Sequence, residues 1–287
     1  MHFIYTDATL NGLMPSTMPN VSSQGRDTIL SPYFTEIQHI LLKDFEVSAV
    51  KIVPFSAGTH WVSTPLKVRT ETAGQKDREF LAKVVADDGL QVYQEIVANK
   101  NARFVRNGIT DLEFENSLSA FELLQHEYLF LAACKHGNIF VPEPFGAFEL
   151  TNGAVLLMEF VNGLPLERVG ITDESIRAVF KLVKGLRGQQ LVHGDIRRDN
   201  FLSTPERRIC LLDYLWLNGD IERAYSYDLM SAICHLSLSA DPAFVIDAAC
   251  KYFSALDLRE AVPFLNFITR RLTNRERAQI LQTILGL

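Results

Sequence analysis

Apolar positions change their rhythm once along this chain. Up to Phe160 they come mostly in short strand-like runs, and beyond Asn162-Gly163 the pattern becomes mainly helical. Strands are expected over Ser48–Phe55, Trp61–Thr70 and Arg78–Ala86. A further pair, Phe145–Leu150 and Ala154–Phe160, turns at Asn152-Gly153, a hairpin signal. Ser31-Pro32 opens a helix through Lys43, and the capping box Ser119-Ala120-Phe121-Glu122 starts one reaching about Lys135. Residues 87–118 read as polar and irregular, with one short helix around Gln91–Asn99. In the helical half the exception is a short hairpin, Asn200–Leu202 with Arg208–Leu212, turning at Thr204-Pro205-Glu206. Two late helices start at Asp241-Pro242 and at the capping box Thr273-Asn274-Arg275-Glu276. Strands first and helices afterwards make an α+β, two-lobed plan. Its expected parts are a tail over 1–28, a small β-rich lobe with a hinge over 29–161, and a helical lobe over 162–287.

Composition narrows the picture. The chain has 287 residues, 47% of them hydrophobic, which is ample for a packed core. A net charge of −6 argues against a nucleic-acid surface, which would normally be basic. No run reaches the ~18 apolar residues of a membrane span, and Met1–Ser23 lacks a basic start followed by an apolar core. Cys134, Cys210, Cys234 and Cys250 lie far apart in apolar contexts and read as reduced thiols, not a metal or disulfide framework. The expected location is therefore the cytoplasm.

The chemistry concentrates in Leu191-Val192-His193-Gly194-Asp195-Ile196-Arg197-Arg198-Asp199-Asn200-Phe201-Leu202. Asn200 stands five residues past Asp195, and Asp213 follows thirteen later, ending the apolar run Ile209-Cys210-Leu211-Leu212. In kinase chemistry one carboxylate handles the attacking hydroxyl, while an amide oxygen and a second carboxylate hold magnesium on nucleotide phosphates. Asp and Asn five apart can be mere turn chemistry; both strands and all four polar positions at these offsets make the signal specific. Upstream, Lys83 shares a strand face with Leu81 and Val85, so it either snorkels to water or meets a carboxylate. Leu124, Glu127 and Leu131 share one stripe of the capped helix, which puts Glu127 on its inward side. A buried carboxylate there needs a cation, and Lys83 offers one.

On these residues the chain resembles the protein-kinase-like superfamily over roughly 45–235, closest to aminoglycoside phosphotransferase-like and atypical kinases. His136-Gly137-Asn138-Ile139 is similar to the His-Pro-Asn-Ile segment of kinases, and Leu156–Val161 resembles the hinge, with Met158 as gatekeeper. The resemblance implies a bilobal kinase-like fold, ATP and Mg2+ as cofactors, and specific site roles. Asp195 would be the catalytic aspartate, Arg197 a γ-phosphate-contacting cation, and Asn200 and Asp213 the metal ligands. Lys83, paired with Glu127, would hold the α- and β-phosphates, and backbone groups of Glu159 and Val161 the adenine edge. His193 would brace the loop. Asp228 would either hydrogen-bond the catalytic-loop backbone or simply cap a helix.

The departures are equally specific. Within Ser56-Ala57-Gly58-Thr59-His60, where a phosphate loop belongs, only Gly58 remains of a glycine-rich pattern. Asp213-Tyr214-Leu215 replaces Asp-Phe-Gly, the interval to Asp228 is short, and no Ala-Pro-Glu segment follows. The 87–118 insertion reads as a lid, a substrate wall or a tolerated surface loop. The expected activity is direct, in-line transfer of the γ-phosphate to a hydroxyl, with no covalent enzyme intermediate. A small molecule is the first choice of acceptor and a protein Ser/Thr the second. The rival from another class is a pseudokinase, a nucleotide-binding or interaction module; nucleotidyl transfer stands further off. Nucleic acid and membrane are not expected partners.

Overall fold

A computed structural model describes residues 23–45, 47–54, 63–71, 77–268 and 271–286. In chain order the elements are α1 (Ser23–Asp44), β1 (Ala49–Pro54), β2 (Thr64–Glu71), β3 (Arg78–Ala86), α2 (Asp87–Arg106), β4 (Leu112–Phe114) and α3 (Ala120–His136). They continue with β5 (Pro144–Leu150), β6 (Gly153–Glu159), β7 (Leu164–Pro165), α4 (Leu166–Val169), α5 (Asp173–Gly188), β8 (Phe201–Ser203), β9 (Ile209–Leu211) and β10 (Leu217–Gly219). Helices α6 (Ile221–Leu236), α7 (Pro242–Ala249), α8 (Ala255–Ala261), α9 (Leu265–Ile268) and α10 (Asn274–Leu285) complete the chain. The elements form two compact units. One comprises residues up to Tyr93 with 118–125 and 144–160; the other comprises 94–117, 126–143 and 161–287.

The first unit is an antiparallel five-stranded sheet in the order β1-β2-β3-β6-β5. Alternation along β3 sends Phe80, Ala82 and Val84 to one face, where they join Val155 and Leu157 of β6 and Tyr33, Ile37 and Leu41 of α1. Each large apolar side chain buried there contributes about 1.5–3 kcal/mol. The Tyr33 hydroxyl donates to the Asn152 carbonyl (3.0 Å), and Glu36 accepts from the Thr151 N–H (2.8 Å), so α1 is also pinned to the β5–β6 turn. Gly153 in that turn has φ +146°, and a Cβ there would come within 2.2 Å of the Val85 carbonyl oxygen. Only glycine fits.

The second unit is helical around α6, whose residues from Ala224 to Cys234 are all buried. The capping boxes expected at Ser119–Glu122 and Thr273–Glu276 form, as does the Asp241 cap. The hairpin expected past Asn200 appears as β8–β9, with Leu202 opposite Cys210.

Two expectations need correction. Helix α1 starts at Ser23, ahead of Ser31. Residues 87–118 are not irregular: they form the 20-residue α2 and then β4, which pairs antiparallel with β10. The reason lies in Val97 and Phe104, buried along α2, with Phe104 stacked on Phe114 (5.2 Å) and on Phe267 (4.2 Å). The inward-facing Phe104 is anchored by aromatic partners outside the helix, one of which, Phe267, lies far along the chain.

Candidate active site

The loop that carries Asp195 is fixed from beneath. Asp228, fully inside α6, accepts from the main-chain N–H of His193 (Oδ2, 2.7 Å) and of Gly194 (Oδ1, 2.9 Å). It is therefore a loop-bracing aspartate; the cap of α6 is Asp220. Burial raises the Asp228 carboxyl to about 7 although both N–H groups pull it down. Gly194 adopts φ +76°, and a Cβ there would lie 2.0 Å from the Leu215 carbonyl oxygen, so the loop needs glycine at this point.

His193 is wholly buried and ties the loop to the segment around Asp213. Its Nδ1 accepts from the Asp195 N–H (3.2 Å) and its Nε2 donates to the Leu212 carbonyl (2.9 Å). The Leu215 N–H donates to the His193 carbonyl (3.0 Å), and the Leu212 N–H to the Asn200 carbonyl (2.9 Å). Asp213, between these anchors, is exposed and takes φ +59°, a left-handed backbone unusual for a residue other than glycine. Such a conformation persists where neighbours over-determine it, and here Leu212 before it and Leu215 two residues after it are tied down.

Asp195, Arg197 and Asn200 come together. Asn200 is buried and donates from Nδ2 to the Asp195 carbonyl (2.9 Å) and to Asp195 Oδ2 (3.1 Å), which leaves its amide oxygen for another partner. Arg197 Nε lies 3.0 Å from the same Oδ2, and its Nη2 3.6 Å from Asp199. The other oxygen, Oδ1, faces Lys100 of α2 at 3.1 Å. Lys100 was not among the sequence-derived candidates. No local signal could have found it, because on a polar helix a lysine ordinarily faces water. Burial works against ionisation of Asp195, but the charges of Arg197 and Lys100 outweigh it and hold the carboxyl below the usual carboxylate range. Burial, in turn, depresses Lys100 despite Asp195. On α6, His235 is pushed down to about 3, by burial first and then by Arg197.

The remaining candidates are carried by other elements. Lys83 is on β3 opposite Leu156, half-buried on the sheet face away from α1. Glu127 is a buried carboxylate of α3, in the stretch grouped with the second unit. Glu159 ends β6 opposite Phe80, and Val161 lies two residues on. The Phe160 N–H donates to Glu79 on β3, which turns the Glu159 backbone toward the side where β5 pairs first at Met158. Gly58 lies outside the described residues.

A carboxamide oxygen and a carboxylate are hard oxygen donors, the kind magnesium takes from a protein while keeping water and phosphate oxygens as its other ligands. Among the described residues there is no cluster of three or more His, Cys, Asp or Glu that could hold a metal by itself. Asn200 and Asp213 each supply a donor of this kind.

Residues 73–215 match the model of the RIO domain. RIO domains form an atypical protein kinase family within the protein-kinase-like superfamily. The match covers just under half of the chain and takes in β3, α2, α3, the catalytic-type loop and Asp213. It implies an ATP-binding, kinase-like phosphotransferase, and it accords with the small antiparallel sheet and the helical second unit. It falls on the atypical-kinase side of the resemblance and does not bear on aminoglycoside phosphotransferases. No curated protein matches the chain. Among the described residues no helix is long and apolar enough to cross a membrane.

Proposed function

We propose that this chain is an ATP- and magnesium-dependent phosphotransferase that moves the γ-phosphate onto a hydroxyl, with a small hydroxylated molecule as acceptor. The observation that carries this reading is the Asp195 carboxylate, oriented by Arg197 and Asn200 and held ionised by Arg197 and Lys100, on a loop whose backbone Asp228 fixes. A carboxylate kept charged and directed in this way suits a residue that orients an acceptor hydroxyl and receives its proton. Asn200 and Asp213 are proposed to hold magnesium, which when bound neutralises phosphate charge. From the resemblance come the other roles: Lys83 with Glu127 for the α- and β-phosphates, and the Glu159 and Val161 backbone for adenine.

The acceptor choice is supported by the stretch after Asp213. Leu217–Gly219 is taken up by pairing with β4, and α6 begins at Ile221, so no long peptide-docking segment is left there. Tyr225, Ser226 and Tyr227 are buried, which takes their hydroxyls away from a phosphorylation switch, while Tyr214 is half-buried with its ring stacked on Phe130 at 4.3 Å.

ATP labelled on its γ-phosphate, offered with a lysate split into protein and low-molecular-weight fractions, tests the reading. Label is expected on a small molecule. Asp195→Asn should lower transfer by about 10²–10⁴-fold while ADP still binds, and Asp213→Asn should abolish magnesium-dependent turnover. Wild-type turnover in the Asp213 variant removes the metal-ligand role. Label on protein alone, lost in the Asp195 variant, replaces the acceptor with a protein. Free phosphate as the sole product makes the chain an ATPase.

A further inference from the structure

We infer that Lys100, carried by the helix of the 87–118 segment, is a cation of the phosphoryl-transfer site: it contacts the γ-phosphate and bridges it to Asp195. The inference rests on the reading of Asp195 as the residue that faces the acceptor hydroxyl. Lys100 Nζ stands 3.1 Å from Asp195 Oδ1, and the two side chains are only 23% and 17% exposed. Oδ2 is already held by Arg197 and Asn200, so Lys100 is not required to orient the carboxylate.

Nor is it explained by stability. A half-buried lysine on a helix can usually reach water, and desolvating an ammonium to pair it costs about as much as the pairing returns. Yet α2 is fastened so that Lys100 stays in place. Asn101 exchanges two hydrogen bonds with the backbone of Phe114, Arg103 donates to the Phe267 carbonyl, and the Lys100 ammonium lies 4.8 Å from the centroid of the Phe114 ring.

Geometry then limits what the ammonium can meet. An acceptor oxygen within hydrogen-bond reach of Asp195, about 2.6–3.2 Å, cannot be far from a cation that is 3.1 Å from the same carboxylate. The phosphoryl group being transferred lies next to that oxygen. An ammonium has three donors and Asp195 accepts one of them, which leaves hydrogens for phosphate oxygens as negative charge shifts during transfer. The bond from γ-phosphorus to the ADP oxygen breaks as the bond to the acceptor oxygen forms; the acceptor proton goes to Asp195, and Lys100 stays protonated throughout.

Calorimetric titration of the full chain with ADP and with a non-hydrolysable ATP analogue, alongside kcat, KM and melting curves, decides the matter. In Lys100→Met, ADP affinity should stay within about twofold while analogue affinity falls by about tenfold. The kcat should fall by about 10²–10³-fold, with KM for ATP changing less and Lys100→Arg restoring part of the loss. If Lys100→Met melts early, Lys100→Gln, which can still hydrogen-bond Asp195 without charge, carries the comparison. Equal weakening of ADP and analogue, or no weakening of either, overturns the inference. A rise in kcat also overturns it, and makes Lys100 a plug over Asp195. Failure of the underlying reading shows separately, as undiminished turnover in Asp195→Asn.

Discussion

Asp228 shows how one residue sets the loop and also records the pH. Its position was legible in the sequence, fifteen residues past Asp213, but two readings were open, because the local sequence of a helix aspartate does not say whether it caps or braces. Packing decides it: the carboxylate is 2% exposed and takes two backbone N–H groups. Its carboxyl, ordinarily near 3.8, is raised to about 7 by burial. Between those values the native state therefore holds a proton that the unfolded chain has released. Stability from this group is fully present below the unfolded value, declines as pH rises toward about 7, and is flat above it. Urea denaturation at pH 5 and pH 8 should show wild type losing on the order of a few kcal/mol relative to Asp228→Asn, whose side chain does not titrate. His235 contributes the opposite slope, its stabilisation fading as pH falls, but both proteins carry it and it cancels in the difference. Identical pH slopes in the two proteins would remove Asp228 as the titrating group. Asp195, Arg197 and Asn200 were legible for a related reason: their spacing is local, so one turn of loop brings them together.

At the scale of elements, legibility tracked sequence separation. The capped starts of α3, α7 and α10 and the β5–β6 and β8–β9 hairpins depend on residues a few positions apart, and they form as expected. Helix α2 and strand β4 do not have that advantage. Their partners are Phe267 and β10, far along the chain, and nothing near residue 100 announces them. The joint between α2 and β4 is the side chain of Asn101, which gives and takes a hydrogen bond with Phe114 as a neighbouring strand would (2.8 and 2.7 Å). Asn101→Ala leaves a donor and an acceptor of Phe114 without that partner, a cost on the order of 2 kcal/mol. The expected result is faster amide hydrogen exchange through β4 and β10, a melting temperature a few degrees lower, and slower exchange retained in α5. Unchanged protection in β4 would dispose of the clamp.

For the molecule as a whole, the family match and the physical unit do not share an end. The match stops at residue 215 and includes every residue of the catalytic-type loop. The unit that holds that loop in shape also needs β10 and Asp228. A chain cut after Leu215 should thus keep all the motif residues and still fail to order them. Expected are fast exchange at the His193 and Gly194 amides and loss of the magnesium-dependent ADP binding proposed above, measured by hydrogen exchange and calorimetry. Slow exchange with binding retained would show that the motif region is self-sufficient. The same arrangement has a consequence for the chain as it is made. Strand β4 must wait for a partner that begins at Leu217, so a ribosome extending the chain at about 5–20 residues per second exposes Phe104 and Phe114 for several seconds before their cover exists. Closing so long a loop is slow compared with forming a local helix. During that interval the wall beside Asp195 stands open, a surface for the folding helpers of the cell to cover.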